Sequence, residues 1–150
     1  MQIKSKNWPL LTFLLVFACP VFAELGGDAV SVSHDRVSMK ASSRTVAAQR
    51  YTVEEIQTPE GTAVREYLSP AGKVFAIAWN GPYMPDLQQL FGSYFVAYQE
   101  AAKIERSGRG SLQINRPELV VQSGGHMRAF YGLAYVPQLV PDNVSIEEIK

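Results

Sequence analysis

RYTVEEIQTPEGTAVREYLSPAGKVFAIAWNGP, residues 50–82, holds three apolar runs separated by two turn signals. Arg50 to Thr58 carries Tyr51, Val53 and Ile56, which suit a half-buried strand. In Pro59-Glu60-Gly61, proline fixes its own φ and glycine accepts a positive one, the chemistry of a tight turn. Thr62 to Leu68 reads as a second strand, Ser69-Pro70-Ala71-Gly72 as a second turn, and Lys73 to Trp79 as a third strand, stopped by Asn80-Gly81-Pro82. Three strands joined this way form an antiparallel meander. Alternation puts Phe75, Ile77 and Trp79 on one face of the third strand and Val74, Ala76 and Ala78 on the other. A strand apolar on both faces belongs at the centre of a sheet, and its small face has room for a helix at close range.

Downstream, Pro85 suits the first turn of a helix, and Asp86 with Gln89 makes a capping-box pattern. Leu87, Leu90, Phe91, Tyr94, Tyr98 and Ala101 fall in one stripe at helical spacing, with Phe95 and Ala102 at its edge. Gly92 and Val96 fall on the far side. The glycine reads either as a tolerated surface residue or as a spot on which another segment, from 28–45, rests. Ser107 to Gly110 breaks the helix, and Arg106, Arg109 and Arg116 surround that break as a solvated or anion-attracting loop. Glu118 to Ser123 and His126 to Val136 read as a hairpin turning at Gly124-Gly125. The expected fold is α+β: an antiparallel sheet of about five strands, made of the meander, one helix packed on one face, and the C-terminal hairpin.

Upstream, Lys4 and Lys6, the apolar run Leu10 to Ala18, and Val21-Phe22-Ala23 before Glu24 follow the order of a secretory signal peptide over residues 1–23. The run falls short of the roughly 20 apolar residues that span a bilayer, so no stable membrane span is expected after cleavage. The chain is therefore expected in the periplasm or secreted. The alternative is a lipoprotein anchored through Cys19, although Phe17 is bulky for that processing and Pro20 follows the cysteine. Cys19 is the one cysteine of the chain, so cleavage after Ala23 leaves no thiol for catalysis, disulfide exchange or metal ligation. The remainder divides into a weakly ordered arm over 24–49, a single α+β domain over 50–140 and a tail over 141–150. Within the arm, Ser31 with His34 could start a short helix, and Ala41 to Gln49 reads as a loop or linker. The chain has 14 basic and 14 acidic side chains; losing Lys4 and Lys6 leaves 12 against 14. No basic stripe argues for nucleic acid.

Gly61 to Leu87 (GTAVREYLSPAGKVFAIAWNGPYMPDL) and Ser123 to Leu139 (SGGHMRAFYGLAYVPQL), with a leader followed by Leu25-Gly26-Gly27, resemble the small exported proteobacterial proteins grouped as domain of unknown function 2844. The resemblance implies an exported bacterial protein and carries over no catalytic residue.

The strongest polar constellation is Ser123, Gly124, Gly125, His126 and Arg128. With the turn at the diglycine, His126 and Arg128 share a strand face, and Met127, Ala129, Tyr131, Leu133 and Tyr135 form the core side. Imidazole and guanidinium beside exposed glycine amides suit a carboxylate or phosphate; the plainer reading is a turn with two solvated side chains. A hydrolase would use Ser123 as nucleophile and His126 as base, but the Gly-x-Ser-x-Gly elbow is missing. Two distant histidines, His34 and His126, give no metal spacing, and no cofactor motif occurs. Arg65 and Glu66 point to opposite faces, as do Glu54 and Glu55, which leaves no adjacent carboxylate pair. Tyr83, in the Gly-Pro-Tyr-Met-Pro loop, is placed to meet a partner. The expected function is a non-catalytic periplasmic binding or accessory module for an envelope protein or a small anionic ligand. The alternatives are a small envelope hydrolase with His126 as general base and a purely structural envelope protein.

Overall fold

The computed structural model describes residues 24–28, 32, 37, 40–105 and 111–149. The leader and Cys19, the Ser31–His34 helix start, and Arg106 with Arg109 lie outside the described residues.

The described strands are β1 (Ser42–Ala47), β2 (Thr52–Gln57), β3 (Ala63–Leu68), β4 (Val74–Gly81), β5 (Leu112–Asn115), β6 (Val120–His126) and β7 (Ala129–Tyr135). They form one antiparallel sheet in the order β1-β2-β3-β4-β7-β6-β5, with β4 at its centre. The sheet is thus larger than the five strands expected. The expected meander is β2-β3-β4 and the expected hairpin is β6-β7; each is extended by one strand at its outer edge. β1 occupies the Ser/Ala-rich stretch expected as a linker, where cross-strand pairs hold it: Arg44 bonds Glu55 at 2.8 Å, and Thr45 Oγ1 donates to Glu54. β5 buries Leu112 and Ile114 and exposes Gln113 and Asn115, a period of two too brief to stand out in the sequence.

The helical segment between β4 and β5 is interrupted. Helix α1 (Leu87–Phe91) starts at Asp86, whose Oδ1 accepts from the amides of Gln88 at 2.9 Å and Gln89 at 3.1 Å. A single 3₁₀ turn, Gly92–Tyr94, then leads into α2 (Phe95–Glu105). The break sits at Gly92, with φ +48°, where a β-carbon would run into the side chain of Glu24. Glu24 also accepts from the Ser93 amide at 3.0 Å. A segment does rest on this glycine, and it is residue 24. Next to it Leu25 is buried and donates to Leu90 O, Gly26 donates to Val74 O, and Val74 donates to Gly27 O. The described part of the expected arm is therefore fastened to α1 and β4.

Two cores flank the sheet. The larger lies under the helices and Leu25, with Ile56, Val64, Val74, Ile77 and Trp79 from the strands and Leu90 and Phe91 from α1. The smaller joins Tyr67, Phe75, Ala76 and Tyr51 to Val144 and Ile149 of the C-terminal tail. Phe75 was expected beside Ile77 and Trp79, but it lies on the opposite face. The β3–β4 register passes from Tyr67↔Ala76 to Leu68↔Val74, so Phe75 is the extra residue of a β-bulge and joins Ala76 on the second side. The alanine face of β4 is correspondingly not the helix-bearing one.

Candidate functional site

Pairing fixes which side chains share a face, because directly opposed residues point the same way. One file across the sheet reads Arg44, Glu55, Arg65, Ala78, Leu133 and Gln122; the next reads Gln57, Ala63, Asn80, Tyr131 and Gly124. Both files lie on the second face. The C-terminal tail covers the adjoining region around Tyr67, Phe75 and Ala76 through Val144 and Ile149. Over these two files lies an open trough of about 490 Å³. Its floor is Ala63 and Ala78, with Arg65 on one side and Tyr131 and Leu133 on the other; Asn80 and Gln122 add amides. The volume falls in the range of small-molecule sites, about 300–1,000 Å³.

Charge is sorted between the faces. Glu54 and Glu66 lie toward the helices, Glu66 at 0 % exposure, while Arg44 and Arg65 lie on the trough side with Glu55 between them. Glu55 accepts from Arg44 at 2.8 Å and from Arg65 Nε at 3.2 Å. The hydrogen bond from Arg44, then that from Arg65, hold its carboxyl below the usual carboxylate range. Two guanidiniums on one carboxylate give the cluster a net positive charge and fix the direction of Arg65.

The diglycine does not make the hairpin turn. The β6–β7 ladder runs through Gly124↔Tyr131 and Gly125↔Phe130 to His126↔Ala129, so the loop is Met127-Arg128. Arg128 has φ +65° and Met127 is not in the positive region, the signs of a type II turn rather than a primed one. The glycines are needed for close approach. A β-carbon on Gly124 would stand 2.7 Å from the Tyr131 hydroxyl, and one on Gly125 (φ +129°) would strike Ala129 O. Gly124 thus lets the Tyr131 ring lie across it and build the trough wall.

This geometry separates the expected residues. Ser123 pairs with Gly132 and Leu112 on the helix-facing side and is buried, whereas His126 falls on the trough side by register and is exposed. The hydroxyl and the imidazole are on opposite faces of β6; the imidazole Nδ1 instead lies 3.4 Å from Met127 O. Arg128 is in the loop, so it does not share a strand face with His126, and Met127 is 89 % exposed at the tip. Tyr131, expected in the core, is 52 % exposed. Tyr83 lines a different groove, of about 510 Å³, with Lys40, Glu60, Thr62, Met84 and Asp86. Its backbone is pinned there: Thr62 Oγ1 donates to Tyr83 O at 2.9 Å and accepts from its amide at 3.3 Å. Arg65, Asn80 and Gln122 were not singled out as binding residues, although the alternation that sent Arg65 and Glu66 to opposite faces was visible.

Among the described residues no cluster of His, Cys, Asp or Glu could hold a metal ion, and no helix is long and apolar enough to cross a membrane. The molecule is thus an α+β protein with a half-covered antiparallel sheet. Residues 21–149 match the family described as Protein of unknown function (DUF2844), and the chain belongs to that family. No curated protein and no solved structure matches it.

Proposed function

We propose that this chain is an exported, non-catalytic binding module whose binding surface is the trough on the second sheet face. The observation that carries the reading is the trough over the file of Arg65, Ala78, Leu133 and Gln122, which adjoins the stretch of the same face covered by the tail, in a sheet whose opposite face packs under the helices. Such a surface combines an apolar base with a few directed polar groups, the usual make-up of a small-molecule site. Export rests on the Lys4–Ala23 leader pattern, with Glu24 as the first residue of the working chain. The opposed faces of Ser123 and His126 favour binding over hydrolysis.

Cell fractionation with mass measurement tests export: a chain starting at Glu24 in the periplasm or medium is expected, and an intact leader in the cytosol defeats it. Thermal-shift screening of soluble envelope compounds tests the surface. A hit should vanish in a folded Arg65→Gln, Tyr131→Ser double variant. A hit abolished instead by His126→Ala with Arg128→Ala would move the site to the hairpin tip.

A second reading, contact with an envelope protein, has its own support. The β2–β3 turn, the loop after β4 and the β6–β7 turn lie at one end of the sheet by topology, and Tyr83, Met84 and Met127 are exposed there. Cross-linking from position 127 to an envelope protein, lost on Tyr83→Ser, distinguishes it.

A further inference from the structure

Resting on the trough as the binding surface, we propose that its ligand is a small saccharide bearing a carboxylate. The walls differ in chemistry. Tyr131 offers a half-exposed ring held over Gly124, beside the Leu133 side chain, a surface for the C–H face of a sugar ring. Asn80 and Gln122 offer amides that both donate and accept, the requirement of hydroxyl groups. Arg65 stands across the alanine floor, aimed by Glu55, and a guanidinium binds a carboxylate through paired N–H donors.

Charge on the strand residues of this face argues for an acid. On β1, β2 and β3 its charged groups are Arg44, Glu55 and Arg65, with His126 on the same face at the end of β6, while Glu54 and Glu66 are turned to the other side. Position in the sheet argues against a peptide. The trough lies over β3, β4, β7 and β6, whose backbones pair with one another, so only side chains are available to read the ligand. A peptide's own amides would need more partners than Asn80 and Gln122 supply.

The test is titration calorimetry on the chain as purified from the cells that make it, with trigalacturonate, neutral cellotriose and hexaglutamate as probes. Trigalacturonate should bind at least about tenfold more tightly than cellotriose, and Arg65→Gln should weaken it by roughly 10- to 100-fold, a larger loss than it causes for cellotriose. Arg65→Lys should restore part of the loss, and Tyr131→Ser should weaken both sugars. Unfolding midpoints establish that each variant is folded; if Arg65→Gln is not, Arg65→Lys and Gln122→Ala carry the test. Equal binding of the two sugars, both lost on Tyr131→Ser, overturns the acidic ligand and leaves the trough as a binding surface. Preference for hexaglutamate overturns the saccharide. No sugar binding, or binding indifferent to every variant, overturns the trough reading as well. A dimer in sedimentation that Tyr131→Ser disperses would make a second copy the occupant and overturn the proposal.

Discussion

Two glycines on neighbouring strands each accommodate an aromatic ring, yet substitution should separate them. A β-carbon on Gly124 meets the far end of Tyr131, a half-exposed side chain that can swing into solvent. Gly124→Ala should therefore change stability by less than about 1 kcal/mol while displacing the trough wall and weakening ligand binding. A β-carbon on Gly132 would enter the Trp79 indole, which is buried and backed by Phe91 with ring centroids 6.1 Å apart. Gly132→Ala should cost about 3 kcal/mol in urea unfolding followed by circular dichroism, and a loss below about 1 kcal/mol would contradict this packing. Glu55 supplies the pH-dependent test. Its folded pKa is depressed by Arg44 and then Arg65, so its contribution is present above the unfolded carboxylate pKa and is lost as pH falls through the folded value. Wild type should exceed Glu55→Gln at pH 7, and the two should converge in acid. The side chain is a third exposed and screened, which keeps the difference under about 1 kcal/mol. The sequence drew attention to Gly124-Gly125 and assigned the pair to a turn, because a diglycine beside alternating apolar residues is a strong turn signal. That a glycine makes room for a ring on the next strand follows only from register, which local sequence does not fix.

The same distinction holds for whole elements. The strands β2, β3 and β4, the helix cap at Asp86 and the apolar helical stripe were legible, since each is written in consecutive residues. β1 was not: five of its six residues are exposed, and its ladder with β2 orders a polar stretch. Nor was the bulge at Phe75 legible, since alternation carries no mark of an inserted residue. Gly92 was flagged as a possible landing point, but Glu24 lies 68 positions away. Gly92→Ala should be more damaging than a mid-helix glycine replacement, because the new side chain meets both a left-handed backbone and Glu24. A loss of more than about 1 kcal/mol is expected. Glu24→Gly with Gly92→Ala should recover part of it; absence of recovery would place the whole cost in the backbone. Hydrogen exchange should rank central β4 as slowest and the exposed edge strand β1 among the fastest.

For the molecule as a whole, the tail decides how much of the second face is dry. Val144 and Ile149 are buried against the smaller core, and Arg50 donates to Asn143 O to hold the tail's path. Ending the chain at Val140 should remove roughly 3 kcal/mol or more, since each large apolar side chain buried contributes about 1.5–3 kcal/mol. It should also uncover Tyr51, Tyr67 and Phe75 to an apolar dye; an unchanged melting point and no dye uptake would contradict the layered arrangement. The indole at the heart of the larger core has an optical consequence. The chain contains two tryptophans, Trp8 and Trp79, so processing after Ala23 would leave one indole, whose N–H finds no acceptor among the described residues. Intrinsic emission then reports collapse of the sheet's centre without any label. That ring belongs to the larger core under the helices, so its emission follows that core, whereas Tyr131, half-exposed on the trough wall, is the side chain from which occupancy should be read.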